Sequence, residues 1–99
     1  MCGAPDQDAL PALEVGPREA VVHGTVVRAG SPLAGAYVRL LDGTGEFTAE
    51  VQTSATGYYR FYAAPGDWSL RALAPGRSVD VAVSAVQGEA VEATVEVPA

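Results

Sequence analysis

Thr56-Gly57-Tyr58-Tyr59-Arg60-Phe61-Tyr62, followed by Ala63-Ala64-Pro65-Gly66-Asp67-Trp68-Ser69-Leu70, is the stretch that decides how this chain folds. Neighbouring residues on a strand point to opposite faces of a sheet, so Tyr59 and Phe61 fall on one side and Tyr58, Arg60 and Tyr62 on the other. Aromatic residues at a period of two, bounded by Thr56-Gly57 and Pro65-Gly66-Asp67, read as strand, turn and strand. The second turn is expected to form a hairpin that sets Trp68 in the core, in line with Leu70.

The same rhythm extends in both directions. Upstream, a strand from Ala20 to Ala29 ends at Gly30-Ser31-Pro32, and Gly35 precedes another from Ala36 to Leu41. Asp42-Gly43-Thr44-Gly45 then supplies a turn before a strand from Phe47 to Thr53. Downstream, Pro75-Gly76 makes a further turn ahead of Arg77. The inward parity takes Val22, Val26, Val38, Leu40, Phe47 and Val51, then Tyr59, Phe61, Trp68 and Leu70, and then Val79, Val81, Val83, Val91, Val95 and Val97. Glu50, Asp80, Glu92 and Glu96 take the outward parity with Arg39, Arg60 and Arg71. A helix would need apolar residues three and four apart over at least about ten positions, and nothing after Arg18 supplies that. The expectation is an all-β fold, an antiparallel β-sandwich of about seven strands. Residues 1–18 are expected to form an irregular tail, broken by Pro5, Pro11 and Pro17 and carrying Cys2, ahead of a single domain over residues 19–99.

Charge and composition narrow the function classes. The 99 residues carry 12 Asp and Glu against 6 Arg, no Lys, and a net charge of -6. Six dispersed arginines make no phosphate-tracking patch, which argues against nucleic acid and against anionic membrane surfaces as partners. With 48% hydrophobic residues the body is expected to fold, since disorder pairs high charge with low hydrophobicity. Cys2 is the single cysteine, so no internal disulfide can form, and Met1-Cys2-Gly3-Ala4-Pro5 lacks the basic and apolar regions of a signal peptide. A cytoplasmic location is the expectation. Homo-oligomerisation is compatible with these properties.

Four glycine-anchored segments, taken in order, carry a resemblance. They are Gly24-Thr25-Val26-Val27, Ser31-Pro32-Leu33-Ala34-Gly35-Ala36-Tyr37-Val38-Arg39-Leu40, Thr56-Gly57-Tyr58-Tyr59-Arg60-Phe61 and Pro65-Gly66-Asp67-Trp68-Ser69-Leu70. The chain resembles the carboxypeptidase regulatory-like, or transthyretin-like, β-sandwich. Taken whole, including Met1-Cys2-Gly3-Ala4-Pro5 and Glu46-Phe47-Thr48-Ala49-Glu50-Val51, it looks like a group of short bacterial proteins of unknown function labelled SseC. That resemblance implies a sulfur-metabolism context and a thiosulfate sulfurtransferase as partner. Three other relatives of the fold do not fit. His23 is the chain's one histidine, and the C-terminus Val97-Pro98-Ala99 lacks the Tyr-Arg-Gly-Ser type ending of transthyretin-like hydroxyisourate hydrolases. A chain without lysine cannot form the isopeptide bonds of similar adhesins, and the zinc domain that accompanies carboxypeptidase regulatory domains is not expected here.

Two sets of residues are candidates for function. Cys2 is the one side chain equipped for covalent chemistry; beside an α-amine exposed by removal of Met1 its thiolate would be favoured, and a thiolate can accept sulfane sulfur as a persulfide. An incidental exposed thiol is the alternative. Tyr37, Tyr58 and Tyr62 share the outward parity with Arg39, Arg60 and Arg71, so adjacent strands would gather them into one aromatic and basic patch of the kind enriched at interfaces. Ordinary cross-strand pairing, with Glu50 as an arginine partner, is the alternative there. His23 is expected to be an exposed strand residue. The serines stand in turn or strand contexts without a paired histidine and acid, and Asp42-Gly43-Thr44-Gly45-Glu46 is too short for a calcium loop. No metal site, cofactor or stand-alone catalysis is expected. The two functional readings are a sulfur carrier or accessory protein using Cys2, and a protein interaction module using the outward Tyr and Arg residues.

Overall fold

The computed structural model describes residues 13–98, and all regular structure among them is β. β1 (Val21–Arg28) turns at Ala29-Gly30 into the two-residue β2 (Ser31–Pro32). β3 (Tyr37–Leu41) and β4 (Phe47–Gln52) form a hairpin, followed by β5 (Tyr58–Tyr62), β6 (Gly66–Ala74) and β7 (Arg77–Ala85). β8 (Ala90–Glu92) and β9 (Val95–Val97) complete the chain. The count exceeds the seven expected because β2 is a short addition and because the last extended run divides at Ala93-Thr94.

Two sheets make the sandwich. In the five-stranded sheet β1 is central, with β5 and β2 antiparallel on it and β8 and β9 parallel to it; the four-stranded sheet has the order β4-β3-β6-β7 and is antiparallel throughout. The parallel pairs depart from the antiparallel expectation. They arise because the chain leaves β7 in one sheet and returns to the other alongside β1, running in β1's direction. Val22, Val26, Tyr59, Phe61, Val95 and Val97 of the first sheet meet Val38, Leu40, Val51, Leu70 and Ala72 of the second in one buried cluster. Burial of this apolar area is the main term holding the sheets together.

Two expected placements change. Pro65-Gly66-Asp67 is not a hairpin: β5 pairs with β1 and β6 with β3 and β7, so this turn carries the chain between sheets. Trp68 is accordingly half-buried at the rim, its Nε1–H donating to the Ala64 carbonyl at 2.8 Å. Phe47 is 58% exposed instead of in the core. Between β3 and β4 the pairing runs Leu40 to Ala49 and then Leu41 to Phe47, so Thr48 is an extra residue. That bulge puts Phe47 on the outward side.

The centre of the five-stranded sheet depends on one close approach. The buried Tyr59 hydroxyl donates to the Ala93 carbonyl at 2.6 Å, at the break between β8 and β9. Burial, with the Glu92 charge adding to it, pushes the Tyr59 pKa far upward, so the phenol stays protonated and remains a donor. Gly24 pairs with Tyr59, and a Cβ there would stand 1.9 Å from the Ala93 oxygen. Only glycine leaves room for that carbonyl. Gly57, at φ 76°, closes the turn before β5 where a Cβ would lie 2.7 Å from the Val26 oxygen.

Candidate functional site

The six outward Tyr and Arg residues do not form one patch. Tyr37, Arg39 and Arg71 lie on β3 and β6 of the four-stranded sheet, whereas Tyr58, Arg60 and Tyr62 lie on β5 of the other. The strands were expected to be neighbours, but they belong to opposite layers, so their outward sides face away from each other. Strand alternation supplies parity and leaves the choice of sheet undetermined.

On the four-stranded sheet, register lines up Glu50, Arg39, Arg71 and Asp80 across β4, β3, β6 and β7. Arg39 Nε donates to Glu50 Oε2 at 2.8 Å, and its guanidinium carbon lies 5.8 Å from the Phe47 ring centre. Arg71 makes a two-bond contact with Asp80, Nε to Oδ1 at 2.8 Å and Nη2 to Oδ2 at 3.0 Å. The hydrogen-bonded guanidinium holds the Asp80 carboxyl below the usual carboxylate range, and Asp80 in turn raises Arg71. Two arginines thus stand opposite one another in the middle of the sheet, each drawn toward an acid on its flank. Open depressions flank them, one lined by Tyr37, Arg39, Glu50 and Leu73, the other by Arg39, Arg71, Leu73, Ser78, Val79 and Asp80. The arrangement offers two partly exposed cations beside a half-buried tyrosine and leucine, which suits a carboxylate next to an apolar group.

The outward side of the five-stranded sheet is built differently. His23 of β1 pairs with Arg60 of β5 on one side and with Glu92 of β8 on the other. The Tyr58 hydroxyl accepts from Arg60 Nε at 3.1 Å and lies 3.0 Å from His23 Nδ1, and the Arg60 guanidinium stacks 5.5 Å from the Tyr58 ring centre. Arg60 is buried, and Val21 on the same side is fully so. Tyr62 at the strand end is exposed. His23, expected to be an exposed strand residue, is half-buried and hydrogen-bonded. Its partner could have been found only from the β1 and β5 register, which the sequence does not specify.

Cys2 lies outside the described residues. So does most of the expected tail; its described part includes a turn at Gly16 to Glu19, where Glu19 Oε1 accepts from the Gly16 N–H at 2.7 Å. The expected turn at Asp42 is present: Asp42 Oδ1 accepts from Thr44 N, Thr44 Oγ1 and Glu46 N at 2.7 to 3.0 Å, which lowers its pKa. Among the described residues no group of three or more His, Cys, Asp or Glu is placed to hold a metal ion, and no helix is long and apolar enough to cross a membrane.

Together these features define a small two-sheet sandwich domain with Tyr37, Arg39 and Arg71 on one outer face and His23, Tyr58, Arg60 and Tyr62 on the opposite one. The chain belongs to the family described as protein of unknown function (DUF1416), whose model matches residues 2–97. It is 51% identical over 85 residues to each of two uncharacterized proteins of Mycobacterium tuberculosis, Rv0814c and Rv3118, a match covering 84% of this chain and 85% of each relative. Among solved structures it is similar to the minor pilin GBS52 of Streptococcus agalactiae, with a TM-score of 0.69 and 18% identity, over 82% of this chain and 44% of the pilin. It therefore spans less than half of that pilin. Catechol 1,2-dioxygenase from Pseudomonas arvilla matches with a TM-score of 0.63 and 17% identity, over 98% of this chain and 58% of the enzyme. At these identities the structural likenesses establish the β-sandwich fold, which hosts many unrelated functions.

Proposed function

We propose that the chain is a non-catalytic binding module that takes a carboxylate-bearing segment of a protein partner on the outer face of the four-stranded sheet. The supporting observation is the direct cross-strand juxtaposition of Arg39 and Arg71, between depressions that also expose Tyr37 and Leu73. Like charges placed opposite one another destabilise a sheet, and Glu50 and Asp80 offset that cost only from the flanks. A carboxylate seated between the two guanidinium groups would offset it directly and would gain charge-assisted hydrogen bonds. The test is a titration of the full chain with short peptides that carry glutamate beside an aromatic residue, against the same peptides with glutamine. Selective binding of the acidic peptide, lost in Arg39→Ala with Arg71→Ala, is expected. Equal binding of both peptides, or unchanged binding by the double variant, sinks the proposal.

A second reading concerns Cys2. The family match begins at residue 2 and so includes Cys2, and the resemblance to SseC-type proteins supports a sulfur context. In this reading the sandwich is of the transthyretin-like, carboxypeptidase regulatory-like type, and the protein is a cytoplasmic accessory of a thiosulfate sulfurtransferase. The Cys2 thiolate would attack the outer sulfur of the enzyme's persulfide, forming a Cys2 persulfide and releasing the enzyme thiolate, with no external oxidant. Intact-mass measurement after incubation with thiosulfate and a sulfurtransferase should show one added sulfur atom, absent in Cys2→Ala. No addition, or equal addition to both proteins, removes this reading.

A further inference from the structure

The outer edge of the four-stranded sheet is unfinished. β7 pairs with β6 along all nine residues from Arg77 to Ala85 without a bulge, and among the described residues no strand lies on its other side. Edges of this length ordinarily carry a lysine, a proline, a bulge or an inward charge that blocks pairing with another chain. Between Ser78 and Ser84 the one charge is Asp80, which points outward and is held by Arg71.

The direction of the free backbone groups follows from the hairpin. The two-residue turn Pro75-Gly76 closes on Ala74 and Arg77 as a hydrogen-bonded pair. Alternation along the antiparallel ladder then leaves the N–H and C=O of Ser78, Asp80, Ala82 and Ser84 directed at the open edge. All four residues are exposed. The opposite side of the strand carries Val79, Val81 and Val83, packed against the core yet only half-buried, and Val86 beyond the strand end is 42% exposed. A row of available donors and acceptors therefore borders an incompletely covered apolar layer.

We propose that this edge is a self-association surface: a second copy of the chain adds its own β7 antiparallel to the first, about a two-fold axis at Val81, joining two four-stranded sheets into one of eight. The strand is self-complementary in that register. Ala82 stands opposite the second copy's Asp80, Ser84 opposite its Ser78 and Val83 opposite its Val79, while Val81 meets its own symmetry mate. Outward-directed groups meet outward-directed groups, so the ladder closes. All nine residues pair and no like charges are opposed. A shift that placed Asp80 on the axis would set two carboxylates against each other. Strand length selects the register centred on Val81, charge disfavours the one centred on Asp80, and the valine row continues across the junction.

The experiment is sedimentation of the full chain from about 5 µM to about 500 µM, which spans weak dissociation constants of the kind a small interface gives. A concentration-dependent dimer is expected. Ala82→Glu sets a second carboxylate against Asp80 at two symmetric places and should weaken association at least about fivefold, whereas Ala82→Gln, of the same size without the charge, should retain it. Position 82 is exposed, and thermal melts at low concentration verify that both variants fold. A monomer throughout the range, or equal effects of glutamate and glutamine at position 82, overturns the proposal.

Discussion

The two sheets of the sandwich use arginine in opposite ways. In the four-stranded sheet Arg39 and Arg71 lie on a regular antiparallel ladder, partly exposed and ion-paired to Glu50 and Asp80. In the five-stranded sheet Arg60 is buried against Tyr58, next to a β1 that pairs antiparallel on one side and parallel on the other. All three arginines share the outward parity. What separates them is what their neighbours cover: an ion pair in water contributes little, whereas a buried guanidinium is desolvated and depends on its partners. The four-stranded sheet is thus a surface available for contact, and the five-stranded sheet is a structural element with a polar side.

The substitution that strikes this contrast hardest is Gly24→Ala. Its new methyl group would meet the Ala93 carbonyl, displacing β8 and β9 from β1 and leaving the Tyr59 hydroxyl without its acceptor. Crowding and an unsatisfied buried donor together should cost about 3 kcal/mol or more, a fall of roughly 15 °C in melting temperature. Tyr59→Phe alone should cost less, and the two changes should combine less than additively in thermal melts because they disturb the same bond. Additive effects would show that Gly24 acts elsewhere.

Next in size is Arg60→Ala, which removes a buried stem, a cation stacked on Tyr58 and a donor to its hydroxyl. Destabilisation of about 2 kcal/mol is expected from urea midpoints, and Arg60→Lys should recover only part of it, since lysine has no Nε–H in the guanidinium plane. Arg39→Ala combined with Arg71→Ala should cost less than about 1 kcal/mol in the same assay, because both ion pairs are exposed. If the double variant were the less stable of the two, the contrast between the sheets would fail.

How far the residues themselves disclose this arrangement differs between the sheets. The alternation in Tyr58 to Tyr62 and in Val79 to Val83 is enough to read a two-layer β fold, since each strand must bury one side. Tyr59 in the core and the turns at Asp42 and Pro75-Gly76 follow from local chemistry. The crossing at Pro65-Gly66-Asp67 does not, because a proline-glycine turn between two strands has the same composition whether it closes a hairpin or bridges two sheets. The Thr48 bulge that exposes Phe47 is equally silent. Nor can one strand's pattern reveal that Arg60 is buried while Arg39 is not, because burial of an outward residue depends on segments distant in sequence. The pairing of His23 with Arg60 and Tyr58 is of that kind.

The smallest expected effect concerns acid. Asp80 has a lowered folded-state pKa, first through its hydrogen bonds to Arg71 and then through that arginine's charge, against an unfolded value near 3.8. A carboxylate of this kind contributes stability that is fully present above its unfolded pKa and is lost as pH falls through the folded value. The contribution is modest because the pair is exposed. Urea midpoints measured from neutral pH downward should therefore stay level until about pH 4 and then fall. Asp80→Asn should make that fall shallower while leaving Arg60 and Tyr58 undisturbed on the other sheet. Asp42→Asn provides the matching test at the β3–β4 turn, where Thr44 and Glu46 lower the carboxyl without any arginine. An acid limb unchanged by both substitutions would mean that neither exposed carboxylate is coupled to folding, and the four-stranded sheet's charge row would then bear on recognition alone.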